Sequence, residues 1–252
     1  MSPGAGADGA AGPGPATGPV ALPLTAAVLA SGSGSNFQAL VDAEGRGAPW
    51  RVRLLLSDRE DAGAIARAGA AGVVARVIPV KGVEPGVVER DTLEALEAAG
   101  AQVVFLAGYL RLVPAGVVSA FRRRILNVHP ALLPAFGGKG MYGRKVHEAV
   151  LAAGCRLTGV TVHYVDERYD EGTIVAQWPV PVLAGDNPEA LAARVLAVEH
   201  RLYPLVADHV CRALAAGTEP GPLPAGGTAF AASGAAHVST IDTLYRERFP
   251  EP

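Results

Sequence analysis

The sequence predicts an α/β fold: a Rossmann-like, mostly parallel sheet with helices on both faces and a C-terminal antiparallel hairpin. Three observations carry this. Short runs that are apolar throughout alternate with segments of helical spacing up to about residue 128, the pattern of parallel strands buried on both sides. A turn of glycine and serine, Ser31-Gly32-Ser33-Gly34-Ser35-Asn36, directly follows the first such run. Further on, Gly159–Val165 changes to strict alternation, with Val160, Val162 and Tyr164 interleaved with Thr161 and His163, which is the mark of a half-buried antiparallel strand.

The elements follow in order. Leu24–Ala30 reads as the first strand and Ser35–Ala43 as the first helix. Val52–Leu56 and Ala62–Gly69 repeat that pair, and Val73–Val80 is β-branched and strand-like. Val88–Ala99 places Leu93 and Leu96 on a different helical face from Glu94 and Glu97. Val103–Ala107 and Ile125–Val128 are further buried strands. Gly159–Val165 and Thr173–Val182, joined by the turn Glu167–Gly172, form the hairpin. Pro188–Ala215 is a long closing helix with Leu191, Val195, Val198 and Leu202 on one face, and Pro204 is expected to kink or restart it.

Three domain-level segments are expected. Residues 1–22 are almost all Gly, Ala and Pro, with too little bulky apolar surface to offset ordering entropy, and are read as disordered. Residues 23–216 form the α/β domain, and 217–252 a flexible extension whose amphipathic stretch Val238–Phe249 either docks as a helix or stays loose.

Composition bounds the function. The chain has 252 residues, half of them hydrophobic and 18% charged, with a net charge of −2. Basic residues are spread along it, which argues against nucleic-acid binding through phosphate neutralisation. Cys155 and Cys211 make neither a disulfide framework nor a metal-ligand spacing, and point to a reducing, cytoplasmic setting. The apolar stretch Val20–Ala30 lacks the preceding Lys or Arg of a secretory signal, the first being Arg46. No apolar run reaches the ~18 residues of a membrane span.

Three features could carry chemistry. The turn Ser31–Asn36 offers exposed N–H groups at a helix start, a cradle for phosphate that its place after the first strand favours; an ordinary βα turn with Ser as N-cap is the alternative. It matches neither the G-x-x-x-x-G-K-[ST] loop nor G-x-G-x-x-G. Asn127-Val128-His129-Pro130 ends a buried strand, where such sheets place their sites. Asn127 and His129 share one side of it, so an amide and an imidazole can converge on a developing oxyanion; a satisfied half-buried His is the alternative. Asp166–Gly172 is an acidic turn, either solvated or bringing Asp170 to His129, whose imidazolium it would then favour. His129, His147 and His163 fit no zinc spacing, so no metal is expected. A G-x-S-x-G elbow is absent.

Together these segments resemble the glycinamide ribonucleotide formyltransferase family. The resemblance runs in order from about Leu24 to Ala215 through Leu29–Asn36, Leu106–Arg111, Leu126–Pro134, Gly159–Val165, Asp170 with Gly172, and Glu199–Pro204. Its most specific part is the Asn-x-His-Pro-x-Leu-Leu-Pro block. The resemblance implies transfer of the formyl group of 10-formyltetrahydrofolate, as co-substrate, to the amine of glycinamide ribonucleotide in purine biosynthesis. It further implies Asn127, His129 and Asp170 as the catalytic trio, and Gly34, Ser35, Asn36 and Glu199 as the ribonucleotide site. By the same resemblance Leu110, Arg111, Leu112 and Val113 line the pterin pocket, Asp166, Glu167, Arg168 and Tyr169 belong to the folate loop, and Thr161 is a hydroxyl-bearing neighbour. Monomer and homodimer both stay open.

There are departures from the family pattern. The loop Ala135–Gly143 is longer than in shorter members, the place of a family Arg near the folate tail falls at about Gly86, and Asp170-Glu171-Gly172 stands where Asp-Gly-Gly is common. Formyltetrahydrofolate hydrolase, a sugar-nucleotide formyltransferase, a Rossmann dehydrogenase using Asp58, and a non-catalytic nucleotide-binding module are the rivals.

Overall fold

The computed structural model describes residues 18–223 and 234–250. In chain order the elements are β1 (Leu24–Leu29), α1 (Ser35–Glu44), β2 (Trp50–Ser57), α2 (Gly63–Ala70), β3 (Val74–Val77), α3 (Pro85–Ala98), β4 (Val103–Leu106), α4 (Ala115–Ala120), β5 (Ile125–His129), α5 (Arg144–Ala152), β6 (Leu157–Tyr164), β7 (Ile174–Pro181), α6 (Pro188–Ala215) and α7 (Gly234–Arg248). The seven strands form one sheet in the order β3-β2-β1-β4-β5-β6-β7. β1 to β5 are parallel, and β6 and β7 run antiparallel. This is the predicted fold class. The order reverses between β1 and β4, and open sheets of this kind bind ligands outside the C-terminal ends of the strands at such a point.

Apolar side chains fill both faces. One layer joins Phe37, Trp50, Phe105, Val128 and Val160 to Leu191, Val198 and Tyr203 of α6. The other joins Leu29, Leu54, Leu56 and Val104 to Val88 and Leu96 of α3 and Val117 of α4. β1 and β4 are buried on both faces, which is why their sequences are apolar without alternation.

Several expectations change. α4 and α5 went unread: α4 is six residues long, and α5 buries only Val146, His147 and Val150 among charged neighbours. α6 runs through Pro204 without restarting, with Pro204 itself buried. Its start is as predicted, since Asn187 accepts the N–H of Ala190 at 2.8 Å and Pro188 needs no partner. In the extension over 217–252, where the stretch Val238–Phe249 was expected either to dock as a helix or to stay loose, α7 is docked. Ile241 and Phe249 are fully buried and Tyr245 nearly so. Phe249 meets the edge of Trp50 with ring centres 6.3 Å apart, and Arg201 pairs with Asp242 at 2.7 Å. Of the N-terminal segment expected to be disordered, residues 1–17 lie outside the described residues, as do 224–233 of the extension; the N–H of Val20 bonds to the Ala215 carbonyl at 2.8 Å.

Candidate active site

Four stretches of chain meet at the C-terminal ends of β1, β4 and β5. The turn after β1 comes first. Gly34, not a serine, is the N-cap of α1, with φ of 76° and no side-chain cap. A Cβ at Gly34 would stand 2.6 Å from Cα of Ala64, so this position requires glycine both for its left-handed backbone and for the close approach of α2. Gly32 and Ser33 are exposed, and Ser35 is half-buried. Asn36 is buried and donates to the Glu199 carboxylate on α6 at 2.5 Å. Burial pushes that carboxyl up to about 7, with the Asn36 amide pulling weakly the other way. One turn further along α6, the Tyr203 hydroxyl lies 3.0 Å from the Leu106 carbonyl and 2.9 Å from that of Leu126. Tyr203 thus fixes α6, and Glu199 with it, to the ends of β4 and β5.

The stretch after β4 holds Leu110 to Val113. The Leu110 N–H donates to Ser31 Oγ at 3.0 Å, tying it to the first turn. Leu110 and Leu112 are exposed and Val113 is buried. Arg111 pairs with Asp58 at 2.6 Å, and the Asp58 side chain is almost wholly enclosed. Asp58, the acidic residue a dehydrogenase would need free, is therefore occupied.

β5 and β6 bring the polar groups together. Their antiparallel register sets Asn127 opposite His163 and His129 opposite Thr161. Asn127 Nδ2 lies 3.0 Å from Nε2 of His163 and 3.4 Å from Oδ1 of Asp170. The ring of His129 places Nδ1 at 3.6 Å from Oδ2 of Asp170 and Nε2 at 2.8 Å from the Phe136 carbonyl. The hairpin turn thus delivers Asp170 to the strand end. Asp170 adopts φ of 57°, and Gly172 is indispensable to the turn because a Cβ there would overlap the Tyr164 carbonyl. Asp166 caps the turn by accepting the Arg168 N–H at 2.9 Å, and Arg168 pairs with Glu171 at 2.6 Å; Glu167 and Arg168 are exposed and Tyr169 half-buried.

Electrostatics correct one expectation. The His129 pKa falls below the ordinary histidine value, because burial opposes the charged ring more than Asp170 and the Phe136 carbonyl favour it. Asp170 does pull it upward as predicted, but does not win. Burial also opposes the Asp170 carboxylate, yet His163, the charge of His129 and the N–H of Gly138 together hold it below the ordinary range.

Sequence reasoning passed over His163. It is buried, its Nδ1 lies 2.8 Å from the Tyr164 carbonyl, and its Nε2 faces both Asn127 and Asp170. The alternation of β6 placed Thr161 and His163 on one face; the register that sets them against Asn127 and His129 is not written in the pattern. Thr161 is a brace. It donates to the Ala131 carbonyl at 2.7 Å and accepts the Leu133 N–H and the Gln177 amide at 3.0 Å each.

Comparison with known proteins shows the family. A family model described as formyl transferase matches residues 24–207. A phosphoribosylglycinamide formyltransferase of Arabidopsis thaliana, named chloroplastic, is 47% identical over 73% of this chain and 64% of its own length. The chain thus spans less than two thirds of that plant relative. The phosphoribosylglycinamide formyltransferase of Escherichia coli is 35% identical over 71% of this chain and 83% of its own. Among solved structures, glycinamide ribonucleotide transformylase 1 of Symbiobacterium toebii superposes with a TM-score of 0.70 at 42% identity, covering 75% of this chain and 88% of that one. The chain belongs to the formyl transferase family.

Proposed function

We propose that this protein transfers the formyl group of 10-formyltetrahydrofolate to the amine of glycinamide ribonucleotide, a step of purine biosynthesis. The observation that carries the reading is the meeting of an amide, an imidazole and a carboxylate, Asn127, His129 and Asp170, beside a glycine turn that opens a helix. The names of the relatives support it. Gly34, Ser35 and Asn36 present the start of α1 to the phosphate, and Glu199 accepts from the ribose hydroxyls. Leu110 to Val113 and the turn Asp166–Tyr169 flank the pterin.

The chemistry follows from those positions. The ribonucleotide amine attacks the formyl carbon, a C–N bond forms, and the carbonyl oxygen becomes an oxyanion. Asn127 keeps one N–H on His163, and its other N–H, whose 3.4 Å contact with Asp170 is long, is the one offered to the oxyanion. His129, whose charged form burial disfavours, takes the proton released by the attacking amine and becomes imidazolium, a charge that the oxyanion and Asp170 favour. The imidazolium returns its proton to the folate nitrogen as the bond to the formyl carbon breaks. The reading includes a cytoplasmic setting, supported by Cys155 and Cys211 standing as free thiols; fractionation of the source cells decides between it and the plastid named for the plant relative.

A spectrophotometric formyl-transfer assay tests the proposal, with glycinamide ribonucleotide, a sugar nucleotide or water as acceptor. Turnover that depends on the ribonucleotide is expected. Loss of the formyl group to water at the same rate makes the protein a hydrolase, dependence on the sugar nucleotide changes the acceptor, and no turnover with any acceptor leaves a binding module.

A further inference from the structure

We propose that the main chain of Phe136–Gly138 positions the His129–Asp170 pair: the Phe136 carbonyl keeps the proton of His129 Nε2, the Gly138 N–H holds Oδ2 of Asp170, and His129 therefore exchanges protons through Nδ1 alone. The inference rests on the functional reading above and deepens it.

A backbone carbonyl only accepts, so the 2.8 Å contact to Phe136 requires hydrogen on Nε2. In the neutral ring Nδ1 is then an acceptor. It faces another acceptor, Oδ2 of Asp170, at 3.6 Å, which is longer than a formed hydrogen bond. A proton arriving at Nδ1 turns that opposition into a charge-assisted bond. Oδ2 is kept in place meanwhile by the Gly138 N–H at 2.9 Å. The two carboxylate oxygens are thus divided, Oδ2 between the loop and His129, Oδ1 toward Asn127 and His163.

The loop backbone is built for this. Phe136 has φ of 56° and Gly138 of 94°, so two left-handed residues flank Gly137. A Cβ at Gly137 would stand 2.5 Å from Cδ2 of Leu133 and 3.2 Å from Cβ of Asp170, so both side chains, Asp170 included, would have to shift. The carbonyl before Gly137 and the N–H after it both reach the pair as a result. In the transfer, the attacking amine gives its proton to Nδ1 while Nε2 keeps its own. Nδ1 then passes that proton to the departing folate nitrogen, so the ring ends as it began. The titratable groups around His129 are Asp170, His163 and, from α5, His147.

Backbone esters test the assignment in the full-length chain, with folding checked by circular dichroism. An ester replacing the Gly137–Gly138 peptide link removes the Gly138 N–H, and one replacing the Phe136–Gly137 link weakens the Phe136 carbonyl as acceptor. Nitrogen-15 shifts of the His129 ring report the tautomer without substrate. The unaltered protein is expected to hold the Nε2–H form. The first ester should retain it but lose roughly ten- to a hundredfold in kcat, with KM for both substrates within about twofold and a shifted pH profile. The second should show mixed tautomers. Gly137→Ala should lower kcat as the first ester does. An Nδ1–H ring in the unaltered protein, or both esters with unchanged kcat and pH profile, overturns the proposal. If the unaltered protein transfers no formyl group, the functional reading fails on its own, and the tautomer still decides the clamp.

Discussion

At the scale of single residues, burial decides the direction of the shift at Glu199 and His129, whereas at Asp170 the hydrogen bonds and nearby charge outweigh it. Glu199 is the clearest case, a carboxyl raised to about 7 by burial, with the Asn36 amide donating to it. Its native pKa lies above the unfolded value, so the native state holds the extra proton. Stability from this group is full below about pH 4.5 and is lost as pH rises through about 7, a change of about 3 kcal/mol. Glu199→Gln should therefore leave the melting temperature nearly unchanged at pH 4.5 and raise it at pH 8; a parallel shift at both values contradicts the assignment. His129 has the opposite sign of shift. Its native pKa lies below 6.5, so it loses stability as pH falls from about 6.5 toward that lower value. The strand-end pair Asn127 and His129 could be read from sequence because period-two spacing places them together. His163 could not, because it reaches the site only through the register of β5 with β6.

At the scale of elements, the glycine turn before α1 shows what local pattern reveals. Its position after an apolar strand was enough to mark a helix start, but not to decide which residue caps it. The cap is Gly34 because α2 crosses too close for any side chain. Gly34→Ala should combine left-handed strain with a backbone clash and destabilise by about 2–5 kcal/mol, measured by urea unfolding. A loss under about 0.5 kcal/mol would show that the turn tolerates a Cβ. α4 and α5 escaped the sequence reading for the opposite reason. Each is short, and their helical form is set by packing under the sheet and around His147 rather than by a long apolar stripe. α6 was legible along its whole length because an N-cap, a following proline and a continuous stripe agree, and the helix continues past Pro204 with Leu202 and Tyr203 buried rather than restarting there.

At the scale of the whole molecule, the parallel sheet supplies the ends of β1, β4 and β5, and the antiparallel pair β6 and β7 carries the turn that returns Asp170 to them. The parallel sheet and its antiparallel hairpin followed from apolar runs and alternation, while the order of the strands was not read, and the docking of α7 stayed open, since its amphipathic pattern fits a docked or a loose helix equally. Phe249 is wholly enclosed against Trp50 and Tyr245. Phe249→Ala should cost about 3–5 kcal/mol in global unfolding, and an unchanged unfolding midpoint would show that α7 lies outside the cooperative unit. The central claim is that three side chains from β5 and the hairpin turn act together on one formyl carbon. It is tested most directly by the initial rate of formyl transfer to glycinamide ribonucleotide for the parent chain, Asn127→Ala and Asp170→Asn, all folded by circular dichroism. The account predicts kcat lower by about 10²–10³ in each variant; near-parental turnover in either one contradicts it.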